Sequence, residues 1–173
     1  MEHADLSQDP SQSAANQGPG GNTIAWSDRY LLGHNAMDDT HREFVECVAA
    51  LQTAEDDELA ACLAAFEAHA VEHFEQEQRW MDSTAFPAAQ CHGDEHTAVL
   101  NSVHEVQEIL RNGGSLQVVR DLARALVDWF PGHADYMDAS LSQWLNKRSH
   151  GGAPVVLRRR LDPADSPLPP EAG

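Results

Sequence analysis

The stretch His69-Ala70-Val71-Glu72-His73-Phe74-Glu75-Gln76-Glu77-Gln78-Arg79-Trp80-Met81 decides how the rest of the chain is read. It has no Pro and no Gly, and good helix formers fill it. His73 and Glu77 are four residues apart, so a helix stacks them about 40° apart on one face. An imidazole and a carboxylate on the inward face of a helix make half of a metal site if other helices supply more ligands. Taken alone, the pair reads more simply as two exposed polar residues, with Phe74 and Met81 feeding the core. The neighbouring segments decide between these readings.

Working outward, the apolar residues continue N-terminally at helical spacing through Leu59, Leu63, Phe66 and Ala70. This predicts one helix from about Glu55 or Asp56 to Met81, its acidic first turn suiting the positive end of the helix dipole. Before it, Met37, Phe44, Val45, Val48 and Leu51 predict a helix from Met37 to Thr53, with Asp38 or Asp39 as N-cap and His41 beside the stripe. After it, His92, His96, Val99, Val103, Val106 and Leu110 share one face of a helix that runs from Pro87 or Ala88 to Arg111. Asn112-Gly113-Gly114 stops that helix. A fourth helix is expected over Ser115 to Lys147, with Val119, Leu122, Leu126, Trp129, Phe130, His133, Met137, Leu141 and Trp144 inward. Four helices on short loops predict an all-α, up-down-up-down four-helix bundle.

Residues 1–22, rich in Ser, Gln, Asn, Gly and Pro, read as a disordered arm, 23–148 as the bundle and 149–173 as a flexible tail. The segment from Thr23 to Ala36, carrying Trp26, Tyr30, Leu31 and Leu32, is expected to cover the open end of the core, with a tight turn at Gly33. The chain has 28 acidic and 11 basic residues and a formal charge of −17, which argues against nucleic acid and anionic membranes as partners. No apolar run approaches a bilayer span, and the first residues lack the pattern of a secretory signal. Three cysteines without a CxxC spacing support neither a disulfide framework nor a thiolate zinc site, and a cytoplasmic setting is expected. Cys91 is expected to be a small buried thiol, and Cys47 and Cys62 to pack between helices. The Arg158–Arg160 run and the arm are conceivable docking points for a protein partner, with a solvated tail as the simpler account.

The inward polar residues form a constellation. The first helix offers His41, the second His73 and Glu77, the third His92 and His96, and the fourth His133 and Asp138. Five imidazoles and two carboxylates on one bundle core would be expensive to bury unpaired, whereas two metal ions use all seven. Nitrogen and oxygen donors without thiolate suit iron, manganese or zinc. Each carboxylate has two oxygens and can bridge two cations. Five nitrogens over two ions leave one ion a ligand short, and so a position for a small exogenous ligand. Pro131, inside the fourth helix, cannot donate to the carbonyl of Val127, and a kink or bulge is expected there. The i, i+5 spacing of His133 and Asp138 would itself benefit from a π-type turn. His69 reads as a residue near the surface or behind the ligands. His34, His104 and His150 read as non-ligands. Glu-x-x-His pairs of the ferritin-like di-iron type are absent, since no His has Glu three residues before it.

With these residues in place the chain resembles the hemerythrins, over about Trp26 to Trp144, in the flavour of bacterial single-domain hemerythrins. The resemblance is carried by Gly33, Asp38-x-x-His41, His73-Phe74-x-x-Glu77 followed by Met81, His92-x-x-x-His96, and Trp129-Phe130-x-x-His133-x-x-x-x-Asp138. It implies a di-iron centre with an oxo or hydroxo bridge. By this likeness one iron is held by His92, His96 and His133 and the other by His41 and His73, with Glu77 and Asp138 bridging. It also implies reversible dioxygen binding at the iron with two histidines. Phe44, Phe74, Trp129 and Phe130 are then candidates for the oxygen-pocket wall, though ordinary core packing explains them too. Storage, delivery or sensing would each use such a site. So would an enzyme acting on peroxide or nitric oxide, or repairing iron centres. A fused signalling role is not expected.

Overall fold

The computed structural model describes residues 23–149; the readings of 1–22 as an arm, of most of the tail, and of His150 and Arg158–Arg160 lie outside the described residues. Four stretches of helix make the bundle. They are α1 (Asn35–Thr53), α2 (Leu59–Thr84), α3 (Ala89–Arg111) and a fourth rod in three parts. In that rod α4 (Gln117–His133) passes through a π-helical turn at Ala134–Asp138 into α5 (Ala139–Ser149). Consecutive helices pack on one another and the fourth closes against the first, as short connections require. There is no strand among the described residues.

α1 begins earlier than the sequence suggests, at Asn35, and its cap is neither Asp38 nor Asp39. His34 caps it, accepting from the Met37 amide on Nδ1. Asp38 lies inside the helix and buried, with its two oxygens accepting from the amides of Leu32 (2.7 Å) and Gly33 (3.1 Å). A carboxylate so placed pins the approach segment to α1. Gly33 takes a φ of +75°, a left-handed backbone that an L side chain resists, which lets both amides face one carboxylate. The segment is further held by Ser142 Oγ, which donates to the carbonyl of Leu32, and by Gln52 Oε1, which accepts from Ile24 N. Ile24 and Tyr30 are buried as a cover should be, but Leu31 is 48% exposed and does not join it. α2 starts at Leu59 rather than at the acidic turn, because residues 56–58 form turns ahead of it.

The bundle interior is divided. A larger apolar cluster contains Phe44, Val48, Phe66, Val103, Val119, Leu126 and Phe130. A smaller one at the other end contains Met37, Met81, Phe86, Leu141 and Leu145. Burying each large side chain contributes roughly 1.5–3 kcal/mol. His41, His73, Glu77, His92, His96, His133 and Asp138 are also buried, on the same helices as these clusters. Polar groups withdrawn from water among apolar packing must find partners. That requirement makes this layer a site.

Candidate metal centre

Each helix delivers its polar residues on the face that its apolar stripe already turns inward. The π turn solves a local problem. In regular α geometry residues five apart sit about 140° apart, which would aim Asp138 away from His133. Closing hydrogen bonds at i→i+5 through Ala134–Asp138 brings both to the core, and the turn follows Pro131, where a defect is expected.

All five imidazoles present Nε2 to the carboxylates. Glu77 Oε1 lies 3.1 Å from His73 and 3.8 Å from His41, while its Oε2 lies 3.2 Å from His92 and 3.4 Å from His96. Asp138 divides in the same way, with Oδ2 at 3.1 Å from His41 and Oδ1 at 3.1 Å from His92 and 3.3 Å from His133. Donor atoms of Glu77, His92, His96, His133 and Asp138 all lie within 4.8 Å of one another, and so do those of His41, His73 and Glu77. Glu77 belongs to both groups.

Most of these imidazole–carboxylate pairs are close without an aligned hydrogen bond, the exception being His73 Nε2 with Glu77 Oε1. His41 Nε2, His92 Nε2, Glu77 Oε2 and both Asp138 oxygens are buried and have no aligned hydrogen-bond partner. His96 and His133 meet Nε2 to Nε2 at 3.0 Å, where at most one nitrogen can donate. Lone pairs crowded toward common points fit bound cations better than a hydrogen-bond network. The cluster therefore fits a metal site, and its N/O donors suit a borderline transition metal.

Charge in the metal-free cluster follows from the same contacts. Burial pulls the pKa of His41 and of His92 down, but the close carboxylates of Asp138 and Glu77 outweigh it and raise both to about 9. Burial and Asp138 push Glu77 up, yet His41, His73 and His92 hold it well below the usual carboxylate range. Burial likewise opposes ionisation of Asp138, and His133, His41 and His92 overcome it. His96 falls to about 3, through burial and the neighbouring His133 and His92 against the pull of Glu77 and Asp138.

The four aromatic residues singled out in the sequence lie close to the cluster. Phe74 stacks on His96 (3.9 Å, 7°), Phe130 meets the His41 ring edge-on at 5.4 Å, and Phe44 stacks on Phe130 and packs near His73. Trp129 is half-buried and stacks on His133 (4.3 Å, 26°). His69 lies behind the cluster, its ring 5.7 Å from His73 and outside both donor groups. His104 is exposed beside Glu67, and His34 serves as a cap. Gln78 turns away to bond Asp82. Cys91 corrects an expectation: it is exposed rather than a buried thiol, because it sits on the outer face of α3 next to the inward His92. Cys47 and Cys62 pack partly buried against the core. Sequence reasoning missed Glu95. Its indole partner Trp129 is 34 positions away, and no local pattern joins them.

An antiparallel four-helix bundle with a buried cluster of histidines and carboxylates drawn from every helix is a metal-binding bundle. The sequence profile of the Hemerythrin HHE cation binding domain matches residues 32–145, and the chain belongs to the hemerythrin family. It is 35% identical over 125 residues to a bacteriohemerythrin of Ralstonia nicotianae, an alignment that covers 72% of this chain and 90% of that protein.

Proposed function

We propose that this chain holds two iron ions in its buried cluster and binds dioxygen there reversibly, for storage, delivery or sensing. The observation that carries the reading is the division of oxygens, with each carboxylate turning one oxygen to each side of the cluster. In this reading Glu77 and Asp138 bridge. His92, His96 and His133 hold one ion, and His41 and His73 hold the other. A di-iron pair supplies two electrons and an exchangeable coordination position for a small ligand. The protein's own part is to fix the donors, keep water out and leave room on the side with two histidines. Phe44, Phe74, Phe130 and Trp129 do the excluding, since their rings lie against the imidazoles. Family membership supports the cation, and the bundle of residues 23–148 is the unit that would bind it. No helix among the described residues is long and apolar enough to cross a membrane, and a cytoplasmic setting is part of the proposal.

The test is a cycle. The iron-loaded protein is reduced without air, exposed to dioxygen and then purged, with the visible spectrum followed throughout. A charge-transfer band that appears with oxygen and vanishes on purging is the expected result. Immediate oxidation without recovery would replace the binding role with turnover of peroxide or nitric oxide, or with repair of iron centres, at the same site.

A further inference from the structure

We propose that Glu95 is a positioning residue for His133, acting on it directly and through Trp129. The inference rests on the reading of His133 as a metal ligand, and its test reads metal affinity rather than oxygen chemistry.

His133 turns Nε2 into the cluster, so its Nδ1 points outward, where it is buried and has no hydrogen-bond partner. An imidazole that gives the Nε2 lone pair to a cation carries its proton on Nδ1, and that proton needs an acceptor. A carboxylate behind such a ring fixes its tautomer and orientation and strengthens the ligand. Glu95 Oε2 is 3.9 Å from His133 Nδ1. Among the described residues, no other candidate ligand pairs with a carboxylate besides Glu77 and Asp138.

The same oxygen accepts from the indole Nε1 of Trp129 at 2.9 Å. That indole lies almost parallel on the His133 ring. One carboxylate oxygen on α3 thus faces the imidazole edge and ties down the ring that covers the imidazole face. Glu95 directly precedes His96, so one turn of α3 supplies a donor to the cluster and the support for a donor on α4.

The bland alternative is a surface contact between helices. The Glu95 side chain is 44% exposed, and such a bond is worth little to folding. The two accounts diverge on metal. Ferrous affinity is measured anaerobically on the full chain by competition with a chelator, and cobalt(II) spectra report the ligand field. Glu95→Ala is expected to weaken metal binding by roughly 10–100-fold and to shift the cobalt bands, with the metal-free unfolding curve nearly unchanged. Glu95→Gln keeps an acceptor for Trp129 but loses the charge, and falls between Glu95→Ala and the parent. Trp129→Phe keeps a ring on His133 and loses the indole N–H, and weakens binding less than Glu95→Ala. Parent-like affinity and spectra in Glu95→Ala would overturn the proposal, and so would an equal loss in Trp129→Phe. His133→Ala separates the two levels: full metal content there would remove the ligand reading itself.

Discussion

Metal loading of this protein should expel protons. In the metal-free cluster His41 and His92 have their pKa raised to about 9, despite burial, by Asp138 and Glu77. At pH 7 each is almost wholly protonated, yet a ligand must present a neutral nitrogen. Glu77 and Asp138 are already ionised, and His96 at about 3 is already neutral, so these three release nothing. The gap between about 9 and pH 7 is about two pH units, or about 3 kcal/mol, for each of the two imidazoles. Apparent affinity should therefore climb by about 2–3 × 10³ between pH 7 and 9, with a slope near two just above pH 7 that falls toward one at pH 9. Calorimetric titration of zinc, a redox-silent substitute, in two buffers of different ionisation enthalpy counts the protons directly. About two per chain at pH 7 is expected. Metal uptake with no proton release would refute the argument.

The same protons bear on folding. A raised pKa stabilises the metal-free fold fully below the unfolded value of 6.5, and this contribution is lost as pH rises through about 9. His69, lowered to about 4 chiefly by burial and then by His73, works in the opposite direction, and so does His96. Their contribution is present above 6.5 and is lost as pH falls through about 4 and about 3. Denaturant midpoints of the metal-free protein should peak near pH 6.5 and decline on both sides.

Glu77→Ala should lose both metals or leave one loosely held, whereas Gln78→Ala should retain nearly full content; equal loss by elemental analysis would remove the ligand assignment. Phe130→Ala deletes a fully buried ring packed on Phe44, Tyr30 and His41, and should cost about 3–5 kcal/mol in chemical denaturation. It should also shorten the life of the oxygenated protein by admitting water. Asp38→Ala leaves the amides of Leu32 and Gly33 without their acceptor, and should cost about 1–3 kcal/mol while speeding hydrogen exchange at Leu32.

What could be read from sequence was what repeats along a helix. The inward positions of His73 and Glu77, of His92 and His96, and of the apolar stripes follow from periodicity, so the bundle and its polar layer were legible. The π turn was foreshadowed by Pro131 and by a spacing that regular helix cannot satisfy. Features joining distant positions were not legible. Asp38 looked like a cap because it opens an apolar stripe, but its partners are amides of the preceding segment that only the folded turn at Gly33 presents. Nothing local marks Glu95 on α3, because its partner Trp129 lies on another helix. Leu31 and Cys91 were misplaced for a related reason, since apolar character alone does not say which face a residue occupies.

A crystal structure of the iron-loaded protein, with anomalous scattering recorded at the iron edge, would show directly whether the cluster holds two metals. Two iron peaks are expected, one bound by His92, His96 and His133 and the other by His41 and His73, with Glu77 and Asp138 touching both. A single peak, or a pair that leaves Asp138 or His41 unbound, would contradict the di-iron assignment.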